Sequence, residues 1–256
     1  MKDLLKNKTI LIAGAGGLLG SRLVVGILSQ GGNVIAADIN VEETKKLLSE
    51  LDANIAQSCL QVVPLDITNK NSIKEIFLKN PNIDGAVNAT YPRNKSYGAH
   101  FFDVTPESFN ENISLHLGSS FLFTQQCAAY FKTNKKEFSL VNISSIYGVV
   151  APDFSIYENT SMTMSVEYAA IKSGLLHLNK YVVNYINDSK FRINAVSPGG
   201  LFDSQPKPFL EAYKKKTHGN GMLDSQDILG AILFLLSNQS RYVTGQNIIV
   251  DDGFSL

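Results

Sequence analysis

The chain has 256 residues, of which 44% are hydrophobic and 18% charged, and its formal net charge is zero. This composition fits a globular protein with a sizeable core, and the balanced charge argues against a general nucleic-acid or anionic-membrane binder. No apolar run approaches the roughly 18 residues that a membrane span needs, and the N-terminus has no signal-peptide pattern. Cys59 and Cys127 match no metal-ligand spacing. We therefore expect a cytoplasmic protein with reduced thiols and no bound metal.

Short apolar segments alternate with amphipathic ones along the whole chain. The apolar segments predict buried strands at Thr9–Ala13, Val34–Ala37, Leu60–Leu65, Ile83–Asn88, Leu140–Ile143, Ile193–Val196 and Ile248–Val250. The segments between them predict helices at Leu18–Gln30, Val41–Ala56, Ser72–Lys79, Pro106–Phe131, Val166–Ile186 and Ser225–Leu236. Such alternation requires a parallel sheet that helices cover on both faces. We expect one doubly wound α/β domain over residues 1–256, with its ligands at the carboxyl ends of seven parallel strands.

A glycine-rich segment, Gly14-Ala15-Gly16-Gly17-Leu18-Leu19-Gly20, joins the first strand to the first helix. Glycines at this point let backbone amides approach a pyrophosphate, which the helix N-terminus attracts. Asp38 ends the second strand, where a carboxylate accepts hydrogen bonds from the adenosine ribose and repels a 2′-phosphate. The two features together predict a dinucleotide cofactor and favour NAD over NADP.

Two tyrosines stand four residues before a lysine. Tyr168 and Lys172 lie in a predicted helix, so both side chains share one face of it. A cation beside a phenol favours the phenolate and moves its pKa from about 10 toward neutrality. Tyr91 and Lys95 have the same spacing, but Pro92 between them is incompatible with a helix interior. We therefore expect Tyr168 and Lys172, and not the second pair, to form an acid–base site.

The chain resembles the short-chain dehydrogenase/reductase family over nearly its whole length. The resemblance rests on the glycine segment (with Leu18 where a glycine is usual), Asp66-Ile67, Asn88-Ala89, Pro198-Gly199 and Thr244-Gly245-Gln246. It implies a Rossmann domain that binds NAD. The cofactor-binding residues that it implies are Gly14, Gly16, Gly17, Leu18, Leu19, Gly20, Asp38, Ile39, Asp66, Ile67, Asn88, Ala89, Tyr168, Lys172, Pro198, Gly199 and Leu201.

The resemblance also implies the catalytic residues. Ser145, in Asn142-Ile143-Ser144-Ser145-Ile146-Tyr147-Gly148, would hydrogen-bond the reacting oxygen, and Tyr168 would exchange its proton. Lys172 would lower the tyrosine pKa and hold the nicotinamide ribose. Relatives usually complete a proton relay with an asparagine, whose position aligns with His116 here, and Asn112 lies one helical turn earlier. An imidazole can both donate and accept, so His116 is counted among the catalytic residues while Asn112 stays the alternative.

The substrate is the least defined part of the prediction. The loop Thr90-Tyr91-Pro92-Arg93-Asn94-Lys95 offers two cations beside the expected nicotinamide position, and Asp203 follows the Pro-Gly-Gly turn. We take Tyr91, Arg93, Asp203 and Tyr157 as the substrate-contacting residues, Tyr157 from an insert at residues 150–166 that is expected to fold over the substrate side. These segments also resemble bacterial oxidoreductases that modify flagellin and surface glycans, which implies a sugar or sugar phosphate.

The sequence therefore predicts an NAD-dependent oxidoreductase that interconverts a secondary alcohol and a ketone. The alternative is a catalytically silent dinucleotide-binding sensor or scaffold. A nucleotide-sugar dehydratase or epimerase would usually need a longer chain. The long apolar helices Pro106–Phe131 and Val166–Ile186 predict a homo-oligomer, with a tetramer favoured over a dimer.

Overall fold

The computed structural model describes residues 3–52 and 57–256 of the chain. Seven strands form its sheet: β1 (Thr9–Ala13), β2 (Asn33–Asp38), β3 (Leu60–Pro64), β4 (Gly85–Asn88), β5 (Phe138–Ile143), β6 (Phe191–Pro198) and β7 (Asn247–Val250). All neighbouring pairs are parallel, and the strand order is β3-β2-β1-β4-β5-β6-β7. The predicted doubly wound α/β class is confirmed, and the order reverses between β1 and β4, where such sheets open a crevice for ligands.

Eight α-helices connect and follow these strands in the described part of the chain. They are α1 (Leu18–Ser29), α2 (Val41–Leu51), α3 (Lys70–Lys79), α4 (Pro106–Asn112), α5 (Ser119–Asn134), α6 (Val166–Ile186), α7 (Lys207–Lys214) and α8 (Leu229–Leu236). The sheet separates two apolar cores because alternate strand residues point to opposite faces. Side chains of α1, α2 and α8 pack on one face, with Ile10 and Ile12 of β1. Side chains of α3, α5 and α6 pack on the other, with Leu11 and Ala13.

Several helix boundaries differ from the prediction. The helix predicted over Pro106–Phe131 is interrupted between α4 and α5 by a π-helical turn, Ile113–Gly118. The helix predicted from Ser225 begins at Leu229, because residues 225–228 form a turn. Helix α3 begins earlier than predicted, at Lys70, where the Asn69 side chain accepts from two backbone amides and caps it. Residues 53–56 of the second predicted helix lie outside the described residues.

A smaller apolar cluster lies apart from the two cores. Ile156 and Tyr157 of the insert pack with Phe209 and Tyr213 of α7, and Phe254 near the C-terminus joins them. We call these residues the satellite cluster. Lys216 also pairs with Asp153 of the insert at 2.8 Å. These contacts join three segments: the insert at residues 150–166, α7 and the C-terminal segment. We call the three segments together the covering layer.

Candidate active site

A groove of about 460 Å³ opens at the carboxyl edge of the sheet, beside the point where the strand order reverses. Of the residues predicted to bind a cofactor, it is lined by Gly14, Gly17, Asp38, Ile39, Asp66, Ile67 and Ala89. Leu65, Thr68, Thr90 and Pro92 also line it and were not predicted. The Asp66 carboxylate accepts from both the N–H and the hydroxyl of Thr68, at 2.9 and 2.6 Å, so this acidic residue is fixed at the groove wall.

The glycine segment forms a backbone cradle at one end of the groove. Gly14 adopts a φ of +85°, and a Cβ there would lie 2.9 Å from the carbonyl carbon of Ala89. A Cβ on Gly20 would collide with the Gly14 carbonyl oxygen. No side chain caps the first turn of α1, whose N–H groups have no intrahelical partners. This open, amide-rich helix start fits the pyrophosphate of a dinucleotide.

Asp38 lies beside this cradle at the end of β2. Its carboxylate accepts hydrogen bonds from the backbone N–H groups of Gly16, at 2.9 Å, and Asn40, at 3.1 Å. These bonds hold the carboxylate against the groove while leaving acceptor capacity for a ligand hydroxyl. The arrangement fits an adenosine ribose.

The other predicted cofactor residues fall into two groups. Leu19 is buried in the core, so only its backbone can face a ligand, whereas Leu18 is half exposed. Buried Asn88 donates to Ser120 at 3.2 Å and accepts from the Thr90 hydroxyl at 2.7 Å. On the opposite side of the crevice, Pro198 ends β6 and is followed by Gly199 and Leu201. The Gly199 N–H donates to the carbonyl of Val250.

Ser145, Tyr168 and Lys172 converge between β5 and α6. Ser145 is the second residue after β5, and its side chain forms a hydrogen bond with Tyr168. The Lys172 ammonium lies 5.4 Å from the centre of the Tyr168 ring and donates to the carbonyl of Ile143 at 2.9 Å. Ser144 points away and donates to the Lys172 carbonyl at 3.1 Å. The geometry therefore places Ser145, rather than Ser144, at the tyrosine.

The predicted lowering of the tyrosine pKa is wrong for this environment. Burial raises the pKa of Tyr168, and the hydrogen bond with Ser145 only opposes that rise. Burial also lowers the pKa of Lys172 to about 7. The prediction considered the neighbouring cation alone, whereas desolvation disfavours the charged form of both groups.

His116 lies on the π-helical turn and reaches the same lysine. Its Nε2 is 3.4 Å from Lys172 Nζ, and the side chain is 2% exposed. Burial, Lys172 and Arg93 together lower the pKa of His116 well below its ordinary value. The alternative, Asn112, instead donates to Glu167 at 3.2 Å and to Asn94 at 3.1 Å. Of the two, it is therefore His116 that contacts Lys172.

Tyr91 lies in the centre of the site although its pairing with Lys95 was rejected. Residues 91–95 are not helical, as expected from Pro92. The Tyr91 ring makes edge contacts with Tyr168 and His116, at centroid distances of 5.8 and 5.1 Å. Its hydroxyl donates to that of Tyr97 at 2.7 Å, a contact that the sequence did not indicate.

Tyr157 and Asp203 lie in different surroundings, and their role as substrate contacts stays a prediction. Tyr157 is 7% exposed in the satellite cluster, with its ring 5.2 Å from that of Phe209. Only its hydroxyl, which donates to the Tyr147 hydroxyl at 3.4 Å, extends toward the catalytic residues. Asp203 lies in the turn after Leu201, where its N–H donates to Gln205 at 2.7 Å.

Metal-ligand clusters and membrane-spanning helices are both absent from residues 3–52 and 57–256. These residues contain no group of three or more His, Cys, Asp or Glu side chains placed to hold a metal ion. None of the helices described in those ranges is long and apolar enough to cross a membrane.

Comparisons with known proteins agree with this geometry. The family described as enoyl-(acyl carrier protein) reductase matches residues 18–255. Post-translational flagellin modification protein A of Campylobacter coli is 40% identical over 258 residues, which cover 99% of this chain and 100% of that protein.

Two solved structures share the fold. A short chain dehydrogenase from Leptospira borgpetersenii with bound NAD+ is 34% identical, with a TM-score of 0.84 over 98% of this chain and 94% of that one. A gluconate 5-dehydrogenase from Burkholderia cenocepacia, in complex with NADP and tartrate, has a TM-score of 0.83 over 99% of this chain and 98% of that one. At 20% identity it supports the fold alone. The family match and the two closer relatives lead to one conclusion: this chain belongs to the short-chain dehydrogenase/reductase family.

Proposed function

We propose that the protein interconverts a secondary alcohol and a ketone with NAD(H), on a polar, sugar-like or sugar-phosphate-like substrate of surface glycan biosynthesis. One observation carries the proposal. Ser145, Tyr168 and Lys172 converge at the carboxyl edge of the sheet, and the glycine cradle lies at the same edge. A silent sensor would have no use for a phenol that has a serine hydroxyl and a lysine ammonium beside it.

The chain's residues would manage the proton and the orientation of the substrate. Bound nicotinamide supplies the hydride acceptor or donor. Ser145 would donate a hydrogen bond to the reacting oxygen. Tyr168 would take the hydroxyl proton in oxidation as its own proton passes onward, and would give its proton to the ketone oxygen in reduction. Both side chains are rigidly placed, since Ser145 follows a strand and Tyr168 lies in the first turn of α6.

Lys172 and His116 would move that proton onward. Lys172 has a pKa of about 7, so it can release a proton near neutrality. His116 Nε2, at 3.4 Å, is placed to accept a hydrogen bond from the Lys172 ammonium, because burial keeps the imidazole neutral. His116 would thus replace the asparagine of other family members, while Asn112 holds the loop after β4.

The choice of NAD over NADP rests on Asp38. Its carboxylate is held at the groove by two backbone amides, and a 2′-phosphate beside it would meet an uncompensated like charge. The NAD+ in the 34%-identical Leptospira structure supports the same choice.

The proposed substrate class and biological setting rest on the polar loop after β4 and on the flagellin modification protein that is 40% identical.

We further propose that residues 1–256 act as one dinucleotide-binding and catalytic domain in the cytoplasm. Exposed aromatic side chains on α5 and α6, such as Phe121, Tyr181 and Tyr185, support a homotetramer over a dimer. A monomer at micromolar concentration in light scattering would contradict that assembly.

The test is a screen of sugars, sugar phosphates and nucleotide sugars with NAD and NADP, following the absorbance of the reduced nicotinamide. We expect NAD-dependent turnover of at least one sugar derivative. Tight NAD binding without turnover across the panel would favour the sensor instead.

A further inference from the structure

We infer that Arg93 forms an anion-binding subsite, which selects substrates that carry a carboxylate or phosphate group. This inference rests on the proposed function, because it names the substrate class of the same site. Such a subsite would make a neutral sugar a poor substrate whatever its stereochemistry.

The position of Arg93 relative to the catalytic residues is the first support. Its guanidinium carbon lies 4.8 Å from the centre of the Tyr91 ring. The same ring contacts Tyr168 at 5.8 Å and His116 at 5.1 Å. One aromatic ring therefore separates the guanidinium from the catalytic phenol. A small molecule whose reacting carbon lies at Tyr168 can place a charged end at Arg93.

The loop that carries Arg93 is held in place by the residue that follows it. The Asn94 N–H donates to Asn112 at 3.0 Å, and its side chain donates to Glu111 at 2.7 Å. Asn112 is in turn bonded to Glu167, which precedes Tyr168 in α6. The loop is thus tied to the catalytic helix, so that the cost of ordering it on binding is small.

The guanidinium keeps its hydrogen-bonding capacity for a ligand. Its hydrogen bond from Nη1 to the Tyr91 carbonyl is long, at 3.5 Å. In residues 3–52 and 57–256 no carboxylate forms an ion pair with Arg93. The nearby acids Glu111 and Glu167 accept from Asn94 and Asn112 instead. A planar guanidinium resting on a ring presents its N–H fork sideways, which suits a two-oxygen anion.

The charge of Arg93 also affects the pKa of His116 in the buried part of the site. Three influences lower the pKa of His116: burial first, then Lys172 and Arg93. The groups that face the imidazole are Lys172 from α6, and Tyr91 and Arg93 from the loop after β4. An anion bound at Arg93 should therefore raise the pKa of His116. That shift provides a readout independent of turnover.

The experiment is an NMR titration of the histidine signals in protein saturated with NAD, so that the pyrophosphate cradle is occupied. The chain has only four histidines, which makes assignment of His116 tractable. The probes are inorganic phosphate, D-glucuronate and neutral D-glucose. The variants are Arg93→Gln and a control, Lys95→Gln, which removes an exposed cation two residues further along the loop.

We expect at least one anion to shift the His116 signal and raise its pKa in the wild type. In Arg93→Gln the affinity for that anion should fall about tenfold to hundredfold, whereas Lys95→Gln should resemble the wild type. Glucose should give no shift. The inference is overturned if neither anion shifts His116, if Arg93→Gln binds as well as the wild type, or if Lys95→Gln loses as much.

Kinetics separate this inference from the proposed function. For the best substrate of the screen, Arg93→Gln should raise KM about tenfold or more with a smaller change in kcat, and Arg93→Lys should recover part of the loss. Equal NAD-dependent turnover of neutral and anionic sugars would contradict the anion-binding subsite but would still support the oxidoreductase activity. If no dinucleotide binds, the proposed function fails, and the anion titration is then read from the same variants without NAD.

Discussion

The two sides of the crevice are built in different ways. On the cofactor side, the contact surface is mainly backbone: the glycine segment, the start of α1 and one carboxylate held by two amides. On the substrate side it is aromatic side chains that come from separate segments and hold one another, in the satellite cluster and around Tyr91. A backbone surface presents the same groups to every dinucleotide. A side-chain surface can change its specificity residue by residue.

The largest expected effect lies where the two sides meet. Tyr168→Phe should lower kcat by about 10²–10⁴-fold, because it removes the transferable proton, and should leave NAD affinity nearly unchanged. Steady-state kinetics and calorimetric NAD titration measure the two. Tyr91→Phe is the matched control and keeps its ring contacts, so a far milder loss is expected. Retention of more than about a tenth of the activity in Tyr168→Phe would contradict the assignment.

The second effect concerns the covering layer. Phe209→Ala should cost about 3 kcal/mol of local stability, because it leaves a cavity beside Tyr157 and Tyr213. Hydrogen exchange should show the loss at residues 150–166 and 207–214, while NAD affinity stays the same. Leu78→Ala, at a side chain 80% exposed, is the control. A parallel loss of NAD affinity would show that the two sides are not independent.

The third effect is a pH dependence of stability from Lys172. Its folded pKa of about 7 is below that of the unfolded chain, near 10.4. The unfolded state therefore binds more protons between these values, and stability rises with pH in that window. From pH 7 to pH 9 the unfolding free energy of the wild type should rise about 2 kcal/mol more than that of Lys172→Met. Urea denaturation at both pH values tests this, and parallel curves would refute it.

A smaller effect is expected at His116. His116→Leu should lower kcat about tenfold or more by removing the acceptor beside Lys172, whereas His116→Asn should retain much of the activity. Because its pKa is lowered, the imidazole becomes charged only in acid. The wild type should therefore show an acid loss of activity that His116→Asn lacks, with the contribution of Lys172 common to both. Identical pH–rate profiles would argue against the relay.

The smallest effect is confined to the cofactor side. Asp38→Ala should weaken NAD several-fold and strengthen NADP by relieving like-charge repulsion, without altering KM for the substrate. Titrations of both dinucleotides against wild type and variant measure the change. Equal affinity of the wild type for NAD and NADP would contradict the role proposed for the Asp38 carboxylate in excluding NADP.

The same contrast explains what could be predicted from the sequence. Parallel strands are buried on both faces, so runs such as Leu140–Ile143 stand out, and all seven strands were identified with ends shifted by a few residues. The glycine cradle was also readable, because it depends on spacing along a single segment. Helix α7 was missed, since its apolar residues are few and pack on the insert rather than on the sheet.

The substrate side could not be read in the same way. Tyr91, Tyr168 and His116 come from three segments, and only the folded chain shows that their rings touch. The pKa of Tyr168 was predicted from its neighbour on the helix, whereas burial decides its direction. The π-helical turn was not predicted because the segment is short and its apolar residues Ile113 and Leu117 keep the i, i+4 spacing of an α-helix.

That turn also makes the site sensitive to chain length at one place. Each residue of an α-helix advances the direction of its side chain by about 100°. A π-helical turn holds one residue more than an α-helical turn, so removing one residue from Ile113–Gly118 would restore regular α-geometry and leave α4 and α5 in nearly the same relative orientation. Asn112 would keep Glu167, and Phe123 and Phe131 would stay in the core, whereas His116, inside the turn, would change direction relative to Lys172. A single-codon deletion would thus remove the contact between His116 and Lys172 in a protein that still folds.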